Sequence, residues 1–336
     1  MGPEPGTPEP APPPSSLPGV EQPLVVSSKI RAIFVGPDGI RAGWRFLIFV
    51  ALFAAFELAF MGGVIHISAL KNLRKTAVAG TLTPAFVLVF EGAQFGMAAL
   101  AAMIMCRIEK QKFGAYGIPW NAAFGKNFWN GIFWGLAFMT VELTIMRALG
   151  GFSFGTLALS GLSIVKYTAI WAVGFALVGL YEEFLFRGYA QYTLSKGIGF
   201  WPAAILLSGV FGGLHLLNPG EDWVGAASVF AFGMFACFTL WRTGSLWFAI
   251  GFHAAGDYAE SFIYSVPDSG IRATGHLLHS TVHGPAWLTG GTVGPEGSVL
   301  NFVVFALAFV IFAFVYRSKK TASADSPQPA IAVEKT

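Results

Sequence analysis

Ionisable residues inside otherwise apolar stretches are the first candidates for chemistry in this sequence. Two neighbouring carboxylates, Glu182 and Glu183, precede Arg187 in the segment YEEFLFRGY. Glu183 and Arg187 are four residues apart, so on a helix they share a face and can form an ion pair, whereas Glu182 points about 100° away. Glu182 is therefore the candidate general base, which takes a proton from water and later returns it. An ionic collar at the lipid headgroups is the alternative for this cluster.

Two histidines follow in later apolar stretches. His215 lies in FGGLHLLNP, where Phe211 stands one helical turn earlier and can wall the imidazole. His253 and Asp257 lie in IGFHAAGDY, and their spacing of four lets the carboxyl group orient the ring. Each histidine alone fits a structural hydrogen-bonding role as well as a catalytic one. Because ionisable groups are costly in lipid, the three clusters together predict one functional site shared between helices.

The composition predicts that these residues lie within a membrane. Of 336 residues, 54% are hydrophobic and only 12% are charged, against about 25% charged in soluble domains. A helix needs about 20 apolar residues to cross a hydrocarbon core of about 30 Å. Eight stretches have this length, at 43–67, 83–106, 128–149, 163–181, 200–217, 224–242, 245–266 and 298–316. Since only helices satisfy their own backbone groups in lipid, we expect an all-α polytopic transmembrane bundle of about eight spanning helices.

The chain divides into six segments by composition. Nine of its 19 prolines lie in the first 28 residues, which lack an apolar run and indicate a disordered arm rather than a signal peptide. Residues 184–196 alternate apolar and polar positions and predict a helix along the membrane interface, after a bend. The predicted segments are a cytoplasmic arm (1–42), amino-terminal spans (43–150), a catalytic core (151–266), an extra-membrane loop (267–297), a last span (298–317) and a disordered cytoplasmic tail (318–336).

The distribution of charge predicts the orientation of the chain. If the amino terminus is inside, 15 of the 21 Lys and Arg residues fall on the cytoplasmic side. The positive-inside rule then places both termini in the cytoplasm of an integral multi-pass protein, which we assign to a bacterial plasma (inner) membrane. The net charge of +3 reflects anchoring residues, so the expected partners are membrane lipids and a peptide or protein substrate, with no nucleic acid.

The motifs EExxxR (Glu182, Glu183 and Arg187), FxxxH (Phe211 and His215) and HxxxD (His253 and Asp257) occur in this order. A chain with these motifs in this order resembles the CPBP family of intramembrane endopeptidases. That family includes the type II CAAX prenyl endopeptidases and the bacteriocin self-immunity (Abi) proteins. The resemblance covers about residues 163–265. Any one of the motifs alone would be weak, whereas three on successive predicted helices are specific.

The resemblance implies a peptidase mechanism and a role for each matching residue. Glu182 and His215 would activate a water molecule, and His253 with its neighbour Asp257 would stabilise the oxyanion at the scissile carbonyl. It also implies a site that opens toward the cytoplasm and a prenylated CAAX-type peptide as substrate. Many relatives carry Asn at the position of Asp257, and Asp can donate a hydrogen bond to an oxyanion only when protonated.

A metal centre is the rival mechanism. Glu182, His215 and His253 could bind zinc, although the chain has no HExxH motif and the two histidines lie on different helices. We favour a glutamate-activated water without a cofactor. A second candidate metal site is the loop HLLHSTVH, with His276, His279 and His283, which is more typical of a solvated loop.

Two other classes of function remain open. A proton-coupled transporter could use buried Glu, His and Asp as a relay, but the halves of the chain show no inverted repeat. A non-proteolytic membrane scaffold or immunity protein could keep the fold with an idle site. Such a scaffold has no chemical need for Glu182, so the sequence favours the protease.

Overall fold

The computed structural model describes residues 31–37 and 39–317, so most of the predicted arm and tail lies outside the described residues. The chain forms two units, residues 1–41 and 42–336. In the first unit, strand β1 (Val35–Gly36) pairs antiparallel with β2 (Gly39–Ile40).

The second unit is a bundle of helices. In chain order they are α1 (Ala42–Val64), α2 (Ser68–Val78), α3 (Pro84–Glu109), α4 (Lys126–Ala148), α5 (Leu162–Glu183), α6 (Gln191–Ile198), α7 (Phe200–His215), α8 (Trp223–Thr243), α9 (Trp247–Asp257), α10 (Ala286–Thr289) and α11 (Val299–Val315). Helix α5 continues into α6 through a π-helical segment, Phe184–Ala190, and α9 continues into another, Tyr258–Ile263.

The lengths of these helices confirm an all-α polytopic membrane protein. Within the described ranges, five helices are long and apolar enough to cross a membrane, namely Ala42–Val64, Pro84–Glu109, Lys126–Ala148, Leu162–Ile198 and Trp223–Thr243. Helices α7, α9 and α11 occupy the other three predicted spans but are shorter than about 20 residues. The total of eight spans therefore remains a prediction. Leu58, Phe133 and Phe314 are 75%, 70% and 62% exposed, as expected for side chains that face lipid.

Polar residues mark where several helices begin. The Thr83 side chain accepts a hydrogen bond from the Phe86 amide, directly before a proline at the first position of α3. The Asp222 carboxylate accepts the Val224 and Gly225 amides at the start of α8. These side chains satisfy amide groups that have no partner within the helix.

Helices α4 and α9 pack backbone against backbone in the centre of the bundle. A Cβ atom at Gly131 would lie 2.2 Å from the Phe248 carbonyl oxygen, and one at Gly135 would lie 2.3 Å from that of Phe252. On the other helix, a Cβ atom at Gly251 would lie 2.3 Å from the Phe128 carbonyl oxygen. Small residues allow this approach, which fixes the position of α9 and of His253 on it.

The loops between helices gather at two ends of the second unit. One end, here called the loop end, consists of residues 65–83, 149–161, 216–222 and 264–298. Strand β3 (Thr81–Leu82) pairs there with β5 (Arg272–Ala273), and β4 (Phe152–Ser153) pairs with β6 (Thr281–Val282). The Thr292 hydroxyl also donates to the Gly220 carbonyl oxygen.

The opposite end, here called the terminal end, contains residues 110–125, 184–199 and 243–246, the start of α1 and the end of α11. Arg45 on α1 forms an ion pair with Glu109 at 3.1 Å, and the Tyr189 hydroxyl donates to Glu109. The Leu246 amide donates to the Gly117 carbonyl oxygen. The chain therefore enters and leaves this unit at the same end.

The segment predicted as an interfacial helix is more deeply packed than its alternating pattern indicates. The sequence predicts a bend before residue 184, whereas the backbone leaves helical geometry at Gly188, with φ −80° and ψ −108°. Arg187 and Gln191, expected on the polar face, are both only 1% exposed, whereas Lys196 is exposed. Arg187 points into the bundle toward Glu183, so this part of the segment lacks an exposed polar face, and its location at the membrane interface stays a prediction.

Candidate active site

Helices α5 and α9 position the central residues of the site. They approach closely at Gly179, where a Cβ atom would lie 2.9 Å from the Ile250 carbonyl oxygen. One turn further along α5, Glu182 and Glu183 therefore lie beside His253 on α9.

Glu183 lies between two cationic or hydrogen-bonding partners. Its Oε1 atom accepts a hydrogen bond from Arg187 Nη1 at 3.2 Å and another from His253 Nδ1 at 3.0 Å. The side chains of Glu183 and Arg187 are fully buried, and that of His253 is 9% exposed. The predicted Glu183 and Arg187 pair thus also orients His253.

Arg187 is enclosed by an aromatic ring and a glycine. Its guanidinium carbon lies 4.3 Å from the centre of the Phe211 ring, which is a favourable cation–π distance. A Cβ atom at Gly233 on α8 would lie 2.3 Å from Arg187 Nη2. The absence of a side chain at Gly233 therefore makes room for the guanidinium group.

The second ring nitrogen of His253 faces two further carboxylates. His253 Nε2 lies 3.5 Å from Glu182 Oε2 and 3.5 Å from Asp257 Oδ2. The ring can donate to acceptors at both nitrogens only as the imidazolium ion. Phe232 packs against the ring, with the two ring centres 4.6 Å apart. The imidazole is thus held in one plane, with Nε2 between Glu182 and Asp257.

His215 reaches the same site from the end of α7. Its Nδ1 atom donates to the Phe211 carbonyl oxygen at 2.8 Å, which leaves Nε2 as the acceptor of a neutral ring. Phe211 also packs against this ring, with centres 4.6 Å apart, as the sequence predicts. Glu182 forms an ion pair with His253. Among the described residues, no ion pair or hydrogen bond joins Glu182 to His215.

A cavity of about 140 Å³ joins these residues. Glu182, His215, His253 and Asp257 all line it, together with Phe211. Glu183 and Arg187 are absent from its walls, and their supporting role stays a prediction. Five carboxylate side chains and two imidazole rings line the cavity.

The cavity belongs to the loop end of the bundle. Leu82, Asn218, Asp268, Ile271 and Glu296, all from loops of that end, contribute to its walls. The charge distribution assigns this end to the non-cytoplasmic face, whereas the resemblance implies a site open to the cytoplasm. The two expectations cannot both hold. Glu182 is the second-last residue of α5, directly before the terminal end of the bundle, although the cavity that it lines extends to the loop end.

The cavity also contains ionisable residues that the sequence reasoning missed. Glu91 on α3 lines it, and its Oε2 atom is buried without a hydrogen-bond partner. Glu91 lies inside a predicted span, so the criterion that selected Glu182 could have found it. Asp268 and Glu296 also line the cavity. They lie in a loop where no sequence pattern indicates that the chain folds back onto the helices.

The predicted zinc ligands do not form a compact ligand set. Among the described residues, Glu260, Asp268 and Glu296 form a set of three possible metal ligands whose ligand atoms lie within 4.8 Å of one another. Glu182, His215 and His253 are not such a group. Nor are the loop histidines, since His276 and His279 have ring centres 6.0 Å apart while His283 contacts the Thr281 hydroxyl.

Comparison with known proteins gives one match. Residues 164–259 match the family model described as type II CAAX prenyl endopeptidase Rce1-like. No curated protein and no solved structure matches the chain. The matched range begins in α5 and ends just after α9, so it contains Glu182, Glu183, Arg187, Phe211, His215, His253 and Asp257.

Proposed function

We propose that this chain is a CAAX-type membrane protease that hydrolyses peptide bonds by a glutamic mechanism. The match of residues 164–259 to the Rce1-like family model supports this class of enzyme. In this mechanism Glu182 is the general base, His215 helps to hold the attacking water, and His253 polarises the scissile carbonyl. Glu183 and Arg187 position His253 and take no direct part in the reaction.

The observation that carries this proposal is that both ring nitrogens of His253 have carboxylate partners. Glu183 accepts its Nδ1 proton in the buried interior, so Nε2 is directed into the cavity beside Glu182. A donor held in this way needs little reorganisation as negative charge develops on a carbonyl oxygen. The neighbouring carboxylate supplies the base that the same reaction requires.

The proton and charge balance of the reaction is consistent with this arrangement. Water attacks the carbonyl carbon while Glu182 takes one of its protons, and the negative charge moves from Glu182 to the carbonyl oxygen. The total negative charge next to the His253 ring therefore stays the same. When the carbon–nitrogen bond breaks, Glu182 returns the proton to the leaving nitrogen, and the products are a carboxylic acid and an amine.

Asp257 would act on this reaction through His253. A carboxylate 3.5 Å from Nε2 favours the proton on that nitrogen, from which it can be donated to the oxyanion. This role requires no proton on Asp257 itself. It would let an Asp replace the Asn of many relatives, in which the amide can donate directly.

The walls of the cavity favour an apolar peptide. Leu82, Val87, Phe175 and Val178 line it on the side of α3 and α5. These side chains would receive an apolar group beside the scissile bond. A prenylated CAAX-type peptide is the substrate class that the family name indicates, and we propose it as the first substrate to test.

The proposal is tested with the purified full-length protein in lipid nanodiscs. Matched peptides with and without a farnesylated cysteine are incubated with it, in buffer and with 1,10-phenanthroline, which removes zinc but not calcium. We expect cleavage of the prenylated peptide that phenanthroline leaves unchanged. Inhibition by phenanthroline would replace the glutamic mechanism with a zinc mechanism. Cleavage of neither peptide would contradict this substrate class and favour the scaffold or transporter.

A further inference from the structure

Three carboxylates that the proposed reaction does not use meet at the loop end. Glu260 lies on the π-helical segment after α9, Asp268 in the loop that follows, and Glu296 in a 3-10 turn, Pro295–Gly297. One oxygen atom from each lies within 4.8 Å of the other two. Residues far apart in the chain are thus brought together by its folding.

The burial of these groups is not matched by opposite charge. Glu260 is 2% exposed, and its Oε1 atom has no hydrogen-bond partner. Glu142 on α4 is fully buried, and neither of its carboxylate oxygens has a partner. No ion pair found in residues 31–37 and 39–317 includes any of these four acids.

Buried carboxylates without partners are costly unless a cation or protons neutralise them. The side chains around the cluster favour the cation. The Ser269 amide and hydroxyl both donate to Glu296 Oε2, and the Ser261 hydroxyl donates to Asp268 Oδ2 at 3.0 Å. Each of these bonds fixes one oxygen of a carboxylate and leaves the other oxygen available to a ligand.

We propose that Glu260, Asp268 and Glu296 bind a hard divalent cation, with Ca²⁺ as the preferred ion. All available donors are oxygen atoms, which suits Ca²⁺ and gives zinc no nitrogen or sulfur ligand. Glu142 lies outside the set of three and is not one of the proposed ligands. This site is separate from the zinc alternative considered for Glu182, His215 and His253.

The position of the site suggests what the cation does. Asp268 and Glu296 line the active-site cavity together with His253 and Asp257. The Ser269 amide and Glu296 already connect two turns of the loop end, and Glu260 anchors the cluster to the extension of α9. A bound cation therefore joins the loop wall of the cavity to the helix that carries His253.

The test is binding and thermal unfolding of the full-length protein in nanodiscs, without any substrate. After treatment with a chelator, the protein is titrated with Ca²⁺, Mg²⁺, Mn²⁺ and Zn²⁺, and bound metal is counted by elemental analysis after dialysis. We expect one Ca²⁺ per chain and a saturable rise in Tm of several degrees. Neither measurement depends on catalysis. A protein that binds no cation could therefore still be a protease, and a protein without protease activity could still bind the cation.

Three variants make the test specific. Glu260→Gln and the half-buried Glu296→Gln keep side-chain size but remove a charged ligand, so we expect each to lose the Ca²⁺-dependent rise in Tm. Glu57→Gln is the control, because Glu57 also has a buried carboxylate oxygen without a partner but lies on α1 outside the cluster. It should respond to Ca²⁺ as the wild type does. An equal response in Glu260→Gln, or no response of the wild type to any of the four ions, would overturn the site in favour of protonated acids.

Discussion

At the scale of single residues, the chemistry of the site depends on the partners of the two ring nitrogens of His253. Its Nδ1 atom is bonded to Glu183, and its Nε2 atom lies between Glu182 and Asp257. The two adjacent glutamates therefore lie in different environments. The side chain of Glu183 is fully buried, whereas that of Glu182 is 22% exposed and lines the cavity.

This difference predicts a specific effect of Glu183→Gln. The change leaves the fully buried Arg187 without its carboxylate, and removal of one partner from a buried ion pair costs about 3 to 5 kcal/mol. We expect a large fall in the denaturation midpoint, measured in detergent or nanodiscs, together with loss of peptide cleavage. Glu182→Gln, in contrast, should keep a midpoint close to that of the wild type. A fall of equal size in both variants would contradict the separation of roles.

A second residue-scale prediction concerns Glu221 in the loop between α7 and α8. Burial is the main cause that raises the pKa of Glu221 from 4.5 to about 7, and repulsion by Glu296 adds to it. The folded state therefore binds a proton more tightly than the unfolded state, and its advantage is lost as the pH rises from about 4.5 through about 7. Since Glu221 is partly solvated, the loss is on the order of 1 kcal/mol.

The measurement is Tm as a function of pH for the wild type and Glu221→Gln. The wild type should lose stability between pH 5 and pH 8, and the variant should lose less, because it carries no proton to release. The same slope in both proteins would show that Glu221 does not titrate in this range.

At the scale of the elements, glycines determine how closely the catalytic helix approaches its neighbour. A Cβ atom at Gly135 would lie 2.3 Å from the carbonyl oxygen of Phe252, the residue before His253. Backbone atoms cannot move aside as a flexible side chain can. The position of His253 therefore depends on a residue of α4 that does not touch the cavity.

We predict that Gly135→Ala separates α4 from α9, because the added methyl group has no space. Overpacking of this kind costs about 1 to 3 kcal/mol, and we expect cleavage to fall with it. Gly96→Ala on α3 is the matched control, since a Cβ atom there would meet nothing within 4 Å. Thermal unfolding and cleavage are measured for both variants, and equal effects would argue against the α4 and α9 contact as the cause.

Several elements could be predicted from the sequence because each carries its signal locally. Apolar length predicts the long helices, and the spacing of four residues predicts the pairs Glu183 with Arg187 and His253 with Asp257. The contact of Glu182 with His253 could not be predicted, since it depends on how α5 and α9 cross. The same holds for Asp268 and Glu296, whose place at the cavity depends on contacts between distant segments, such as the hydrogen bonds from Ser269 to Glu296.

At the scale of the whole molecule, orientation in the membrane decides which compartment supplies the substrate. The cavity is at the loop end, and the chain enters and leaves the second unit at the terminal end. Because the spans predicted from the sequence assign 15 of the 21 Lys and Arg residues to the side of the termini, we predict a cytoplasmic terminal end. The cavity then faces the opposite compartment, against the opening that the family resemblance implies.

This prediction is tested by labelling in intact cells with a thiol reagent that does not cross membranes. Cys106 and Cys237 are replaced by Ala, and a single cysteine is introduced as Thr274→Cys at the loop end or Gln111→Cys at the terminal end. Both positions are exposed. We expect labelling of the first variant in intact cells and of the second only after lysis. The reverse pattern would place the cavity on the cytoplasmic side.

The central claim is that Glu182 activates the water that cleaves the peptide bond, and one comparison tests it most directly. Cleavage of the best peptide of the panel is measured for the wild type, Glu182→Gln and Glu57→Gln, each with its Tm. A general base contributes about 100-fold to 10,000-fold to a rate, so kcat of Glu182→Gln should fall at least about 100-fold at an unchanged Tm. Glu57→Gln should cleave at the wild-type rate. A folded Glu182→Gln protein that cleaves as fast as the wild type would contradict the mechanism.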